Sequence, residues 1–154
     1  MNLTETKKII NSLMDTFVDS GMLSLDLRKK GLKKNIKSDN TPVTNADIEV
    51  NKLIREKISN LTPNIKIVSE ETSLNKENNS LNDFWLIDPI DGTSGYIQGK
   101  DEFTINAALI LNKKPVAGII NAPDKERLFY SFGNSNSFEI NNGSKTILTC
   151  KKKK

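Results

Sequence analysis

Trp85-Leu86-Ile87-Asp88-Pro89-Ile90-Asp91-Gly92-Thr93 is an apolar run that ends in two carboxylates three residues apart, followed by a Gly-Thr pair. Phe84 to Ile87 is aromatic and β-branched, the composition of a buried strand. Asp88 therefore stands where that strand leaves the core, and Pro89 is expected to stop it. Both carboxylates then lie at one strand end. Gly92 permits close backbone approach, and a short helix starting there would aim the N–H groups of Gly92, Thr93 and Ser94 at an anion. The stretch reads as a place to hold a metal ion beside a phosphate.

The residue inventory narrows the chemistry. The chain has no histidine, which excludes Ser-His-Asp and Cys-His catalysis, histidine acid-base work and imidazole zinc sites. Its one cysteine, Cys150, is followed by four lysines and not by a loop ending in arginine, so it reads as a small hydrophobe and not as a phosphatase nucleophile. Carboxylates, hydroxyls and carbonyls remain, the ligands of Mg2+, Mn2+ and Ca2+. Beside a Gly-Thr anion turn, Mg2+ acting on a phosphate ester is the preferred reading.

At 154 residues and 36% hydrophobic content the chain suits one domain or part of one. The net charge of +4 equals the charge of the terminal run Lys151 to Lys154. Without arginine clusters or interleaved aromatics it predicts attraction to small anions and no nucleic-acid polymer as partner. No run is long and apolar enough for an integral membrane segment, and the N-terminus does not read as a signal peptide, so a cytoplasmic protein is expected. The wealth of Lys, Asn and Ile reads as AT-rich coding, in which four terminal lysine codons form an A-tract where a stop arises by accident.

Working outward, Ile9, Ile10, Leu13, Met14, Phe17 and Val18 recur at helical spacing and predict a helix from about Thr4 to Asp19, with Thr4 as N-cap. Leu23, Leu25 and Leu27 suggest an extension past Gly21. The polar, lysine-rich segment from Gly31 to Pro42 reads as a mobile loop able to close over a ligand. Thr44 begins a second helix with Val50, Leu53, Ile54, Ile58 and Leu61 facing inward, and Ile65 to Ser69 forms a strand running into Glu70-Glu71. Asn75 to Asn82 is a polar loop. Phe103 to Leu111, Val116 to Asn121, Leu128 to Phe132, Ser137 to Ile140 and Thr146 to Leu148 are strands separated by hairpin-type turns. The fold class is α+β, two helices packed on one face of a mostly antiparallel sheet.

Three acidic sites fall at element boundaries, where a scaffold presents functional groups: Asp47, Glu70-Glu71, and Asp88 with Asp91. Carboxylates that converge repel one another unless a cation neutralises them, so the cluster makes physical sense around metal. Each has a plainer explanation too. Thr44-Asn45-Ala46-Asp47 has capping-box spacing, Glu70-Glu71 is a solvated pair at a strand end, Lys37 a solvated loop lysine, and Asp88-Pro89 a turn initiator. Trp85 reads as core. Haloacid-dehalogenase phosphatases place their two aspartates two residues apart; here the spacing is three with a proline between, and that class ranks second.

Val43-Thr44-Asn45-Ala46-Asp47, Val68-Ser69-Glu70-Glu71 and Trp85 to Thr93 together, in this order and spacing, resemble the inositol monophosphatase superfamily of Mg2+-dependent, lithium-sensitive phosphatases. Lys37-Ser38-Asp39 before Pro42-Val43-Thr44, Ser69-Glu70-Glu71 and Gly99 to Asn106 are most similar to its CysQ branch, the 3'(2'),5'-bisphosphate nucleotidases. That branch removes a phosphate from adenosine 3',5'-bisphosphate. The resemblance implies that Glu70, Asp88 and the Ile90 carbonyl bind one Mg2+, that Asp88 and Asp91 bind a second, and that Mn2+ can substitute. Asp47 and Thr93, counted with Glu70 as catalytic, would orient and deprotonate the attacking water. Gly92, Thr93 and Ser94 would hold the phosphate of a small phosphorylated substrate. Lys37 and Glu71 would support them from behind.

Ser94-Gly95-Tyr96 departs from the Lys-Glu-Phe typical of the branch, which leaves substrate choice among phosphomonoesters open, inositol phosphates included. The resemblance further implies that residues 1–150 are the first three layers of the family's five-layer α/β/α/β/α sandwich, with 151–154 a lysine tail. The family's second half, with a Trp-Asp motif that completes the second metal site, is absent. One sheet face is then expected to be uncovered, and activity weak or lost, down to a metal-binding remnant.

Overall fold

In the computed structural model, which describes residues 1–37, 40–71, 81–134 and 136–149, helix α1 spans Leu3–Lys30. Ile10, Leu13 and Phe17 form its buried stripe at helical spacing. Its N-cap is Asn2 and not Thr4. Asn2 Oδ1 accepts from the Glu5 amide at 2.9 Å, and the Asn2 amide donates to the Glu5 carboxylate at 2.8 Å. Thr4 has Lys7 at the matching position and cannot close such a box.

The helix passes straight through Gly21, because this is where it lies against the sheet. A Cβ on Gly21 would stand 2.4 Å from Asn121 Nδ2, which itself donates to the Phe17 carbonyl at 2.6 Å. Gly21→Ala is therefore expected to destabilise the protein despite the helix propensity of about 1 kcal/mol that alanine brings, since leaving the buried Asn121 amide unpaired costs about 1–3 kcal/mol. A melting temperature at or above that of the parent chain would refute this account of the glycine.

Lys34–Ile36 (β1) and Pro42–Thr44 (β2) pair antiparallel, so the segment expected to be a mobile loop carries a short hairpin. Three exposed residues suffice for β1 because its ladder is fastened at the open end. Lys33 donates to Asn45 Oδ1 at 2.9 Å, and the Asn45 amide donates to the Lys33 carbonyl at 3.0 Å. Helix α2 (Asn45–Leu61) follows, capped by Thr44 as expected, with Val50, Ile54 and Ile58 fully buried and Leu53 and Leu61 half-buried. Most of the expected polar loop Asn75 to Asn82, and Cys150 with the lysine tail, lie outside the described residues.

The sheet runs in the order β3-β4-β5-β6-β7-β8-β9: Lys66–Ser69, Phe84–Asp91, Thr104–Leu111, Lys114–Ala122, Arg127–Phe132, Ser137–Asn141 and Ser144–Ile147. Among the described residues only the β3–β4 pair is parallel, and the other ladders of this sheet are antiparallel neighbours joined in sequence. Among the described residues, the short helix α3 (Thr93–Ile97) and a 3-10 turn at Pro123–Lys125 interrupt the meander. Trp85, Ile87, Ile105, Leu109 and Ile119 point to the helices and are buried. Leu86 and Ile120 on the opposite face are 47% and 43% exposed, and among the described residues no helix packs on that face. The described residues build two layers and not three, because α3 is one turn long and adds no layer of its own, inserting Tyr96 into the core beside Phe103.

Pro89 does not end β4. The strand continues to Asp91 through a bulge, where the missing N–H of proline removes no ladder bond. Among the described residues, no helix is long and apolar enough to cross a membrane.

Candidate metal and phosphate site

Strand register brings the acidic residues together. The parallel pairing of β3 with β4 sets Ser69 beside Ile87, and one step further the Glu70 amide donates to the Ile87 carbonyl at 3.2 Å, which places Glu70 next to Asp88. On the other side of β4, Asp88 faces Asn106 and Asp91 faces Thr104. Three steps along β4 thus match two along β5. In a regular strand, residues three apart point to opposite faces; the extra residue puts Asp88 and Asp91 on the same one. Asn106 Nδ2 donates to Asp91 Oδ2 at 3.3 Å, in keeping with that arrangement.

Gly92 follows with φ 90°, a left-handed conformation in which a Cβ would stand 3.2 Å from the Glu102 carbonyl oxygen. It turns the chain into α3. The Thr93 hydroxyl lies 2.9 Å from the Ile90 carbonyl oxygen and 3.4 Å from Asp47 Oδ1, within reach of both acceptors. Asp47 Oδ2 accepts from the Thr44 amide at 2.7 Å and from its hydroxyl at 2.6 Å, closing the capping box of α2. One Asp47 oxygen thus caps the helix while the other faces Thr93. Burial pushes its pKa above the usual carboxylate value, against the Thr44 hydrogen bonds and the charge of Lys37.

A cavity of about 230 Å3 is lined by Glu70, Asp88, Ile90, Asp91, Gly92, Thr93 and Ser94, with Thr41 and Pro42 of the β2 region alongside. All the residues expected to hold metal and phosphate thus share one space. Asp47 stands behind Thr93. Lys37 and Glu71 stand behind Glu70, with the Lys37 ammonium 3.0 Å from Glu70 Oε1 and 2.8 Å from Glu71 Oε1. Burial disfavours that ammonium, but the hydrogen bonds and charges of Glu71 and Glu70 outweigh it and hold its pKa above the ordinary lysine value. Burial raises the pKa of Glu71, and Lys37 offsets part of that rise.

The fit to a divalent ion can be judged on Asp88. Its Oδ1 is buried with no hydrogen-bond partner, and its pKa is pushed up to about 7 by burial first, then by the charges of Glu70 and Asp91. A buried, crowded acceptor with nothing to accept from is what a cation would satisfy, and the donor set is oxygen throughout, which suits Mg2+. Among the described residues no three acidic side chains form a metal cage by themselves. The cavity instead offers Asp88, Asp91 and the Ile90 carbonyl, while Glu70 is engaged by Lys37.

Two contributors carried no role in the sequence reading. Asn106 faces Asp88 and Asp91 from β5, and its Oδ1 is also buried without a partner. Its signal was one amide inside the otherwise apolar run Thr104–Leu111. Asn51 of α2 accepts from the Ser69 hydroxyl at 2.6 Å, which ties the end of β3 to the helix layer directly before Glu70.

The inositol monophosphatase family matches this chain over residues 6–153. The chain belongs to the inositol monophosphatase family. Within the family, it is similar to the 3'(2'),5'-bisphosphate nucleotidase CysQ of Haemophilus influenzae, 32% identical over 139 residues, which are 89% of this chain and 52% of that protein. Among solved structures, the CysQ of Bacteroides thetaiotaomicron, itself described as a bacterial member of the inositol monophosphatase family, superposes with TM-score 0.67 at 26% identity, covering 92% of this chain and 51% of the other. The Thermotoga maritima IMPase superposes with TM-score 0.75 at 26% identity, covering 88% and 51%. The chain thus spans about half the length of the inositol monophosphatase family proteins it matches. The family expected from the three acidic motifs and the α+β fold expected from the helix and strand patterns are both met.

Proposed function

We propose that this chain carries the metal- and phosphate-binding half of a Mg2+-dependent phosphomonoesterase that acts on the 3'-phosphate of adenosine 3',5'-bisphosphate. The observation that carries the reading is the buried, partnerless Asp88 oxygen, set between Glu70 and Asp91 in the cavity that opens on Gly92 and Thr93. Similarity to CysQ proteins favours the nucleotide over inositol phosphates as substrate. Glu70, Asp88, Asp91 and the Ile90 carbonyl would hold the metal, with Mn2+ as substitute. Bound there, it would supply the positive charge that a transferring phosphoryl group needs on its oxygens.

The chain's own residues do the rest. The amides of Gly92, Thr93 and Ser94 would bind the phosphate, with no side chain at Gly92 to obstruct it. The Thr93 hydroxyl, between Asp47 and the Ile90 carbonyl, would orient the attacking water, and Asp47 would take its proton. A carboxylate whose pKa is raised by burial is a stronger base than an exposed one. The new P–O bond forms from that water and the ester P–O bond breaks; the 3'-oxygen takes a proton from solvent as Asp47 returns one to it, and phosphate and adenosine 5'-phosphate leave. In this reading the protein is cytoplasmic and its partner a small phosphorylated substrate.

Because the chain covers half of its relatives, a second reading is metal binding without turnover. Phosphate release from adenosine 3',5'-bisphosphate and from inositol 1-phosphate, with and without Mg2+ and with Asp88→Asn as control, separates the two. Mg2+-dependent release from the nucleotide that is lost in Asp88→Asn is the expected result. Faster release from inositol 1-phosphate would move the substrate assignment. Stabilisation by Mg2+ without any release would leave the binding reading, and neither effect would remove both.

A further inference from the structure

Lys37 serves two carboxylates in different surroundings. The Glu71 side chain is 7% exposed, that of Glu70 46%. An enclosed carboxylate has little water to solvate it and needs a fixed counter-charge, whereas an exposed one loses little on changing partner. Glu70 also lines the cavity with Asp88, and Glu71 does not. The lysine backbone is tied into its turn, with the Lys37 amide donating to the Thr41 carbonyl at 2.9 Å and the Asn40 amide to the Lys37 carbonyl at 3.0 Å. An exchange at Glu70 therefore needs movement of the Lys37 side chain alone.

A divalent ion taken up beside Asp88 would compete for the Glu70 oxygen that Lys37 occupies, and would repel an ammonium left in place. We propose that Lys37 is a built-in counter-cation, anchored on Glu71, that neutralises Glu70 while no metal is bound and yields it when metal enters. The proposal rests on the reading of the cavity as a metal site. It makes Lys37 a positioning residue that sets metal affinity, and it accounts for the carboxylates sharing one space without closing into a cage.

Calorimetric titration of Mg2+ into the full chain tests it, with Lys37→Met, Glu71→Gln and, as a control for net charge, Lys34→Met in the same hairpin. Lys37→Met is expected to bind Mg2+ about five- to tenfold more tightly, because the competitor is gone. Glu71→Gln is expected to bind more weakly, because the lysine then has Glu70 as its sole carboxylate, and Lys34→Met to stay within about twofold of the parent. Should Lys37→Met fail to fold, the direction of Glu71→Gln decides. Unchanged or weaker binding by Lys37→Met, equal tightening by Lys34→Met, or unchanged or tighter binding by Glu71→Gln overturns the competition while leaving the metal site. No binding by any of the chains overturns both.

Discussion

Without metal, the melting temperature of this protein should fall as pH rises from about 5 to about 8, and Mg2+ should restore it at the upper end. The sign follows from Asp88. Its pKa is raised from an ordinary 3.8 to about 7 by burial and by the neighbouring carboxylates. In that interval the folded state holds a proton the unfolded state has given up. The stabilisation is complete below the unfolded value and is lost as pH passes the folded one. In the proposed site Mg2+ would bind the ionised form, so its effect should grow over the same interval. At a concentration about 100 times its Kd it contributes roughly 2.7 kcal/mol, or about 5–10 °C for a chain of this size.

Asp88→Asn should uncouple the two effects. Asparagine has no charge to bury, so the metal-free variant should melt above the parent at pH 8 and show a flatter pH profile, while its response to Mg2+ disappears. Thermal unfolding across pH with and without Mg2+ measures both. If the variant responded to Mg2+ as the parent does, Asp88 would not be a ligand and the functional reading would fall with it.

Trp85→Ala should be the most damaging single substitution in the core. Trp85 is fully buried between α2 and the sheet, and its Nε1–H donates to Thr62 Oγ1 at 3.0 Å across the end of the helix. Removing it leaves a cavity and an unfilled acceptor, a loss of about 3–5 kcal/mol, comparable with the whole stability of many domains at about 5–15 kcal/mol. Trp85→Phe should lose much less, because most of the volume is kept and the Thr62 hydroxyl still donates to the Ile58 carbonyl at 3.0 Å. Urea midpoints at constant slope give the comparison. A loss under about 1 kcal/mol in Trp85→Ala would contradict the packing described here.

Much of the fold was legible along the chain. Helix periodicity, the Thr44 cap, the short β-rich runs and their turns depend on neighbours within a few residues, and local chemistry is enough to read them. The misreadings have local causes as well. Asn2 caps α1 in place of Thr4 because Glu5 completes its box, which the apolar pattern does not reveal. The pattern predicts a helix to about Asp19 with an extension suggested past Gly21, and it cannot show what the glycine is for, because Gly21 lets Asn121 approach, a contact 100 residues away in sequence. Pro89 looked like a strand end because proline rules apply to regular ladders and β4 is irregular at that point.

For the site, the residue types sufficed to exclude imidazole and thiolate chemistry and to leave oxygen ligands and a glycine turn. That Asp88 and Asp91 lie on one face was decided only in three dimensions, by a bulge paired against β5. That Glu70 stands beside Asp88 was decided by the parallel register of β3 with β4. Side-chain chemistry is a property of each residue and survives reading in one dimension. Which carboxylates meet, and how far burial and mutual repulsion shift them, depends on strand pairing between distant segments, and no local pattern encodes that.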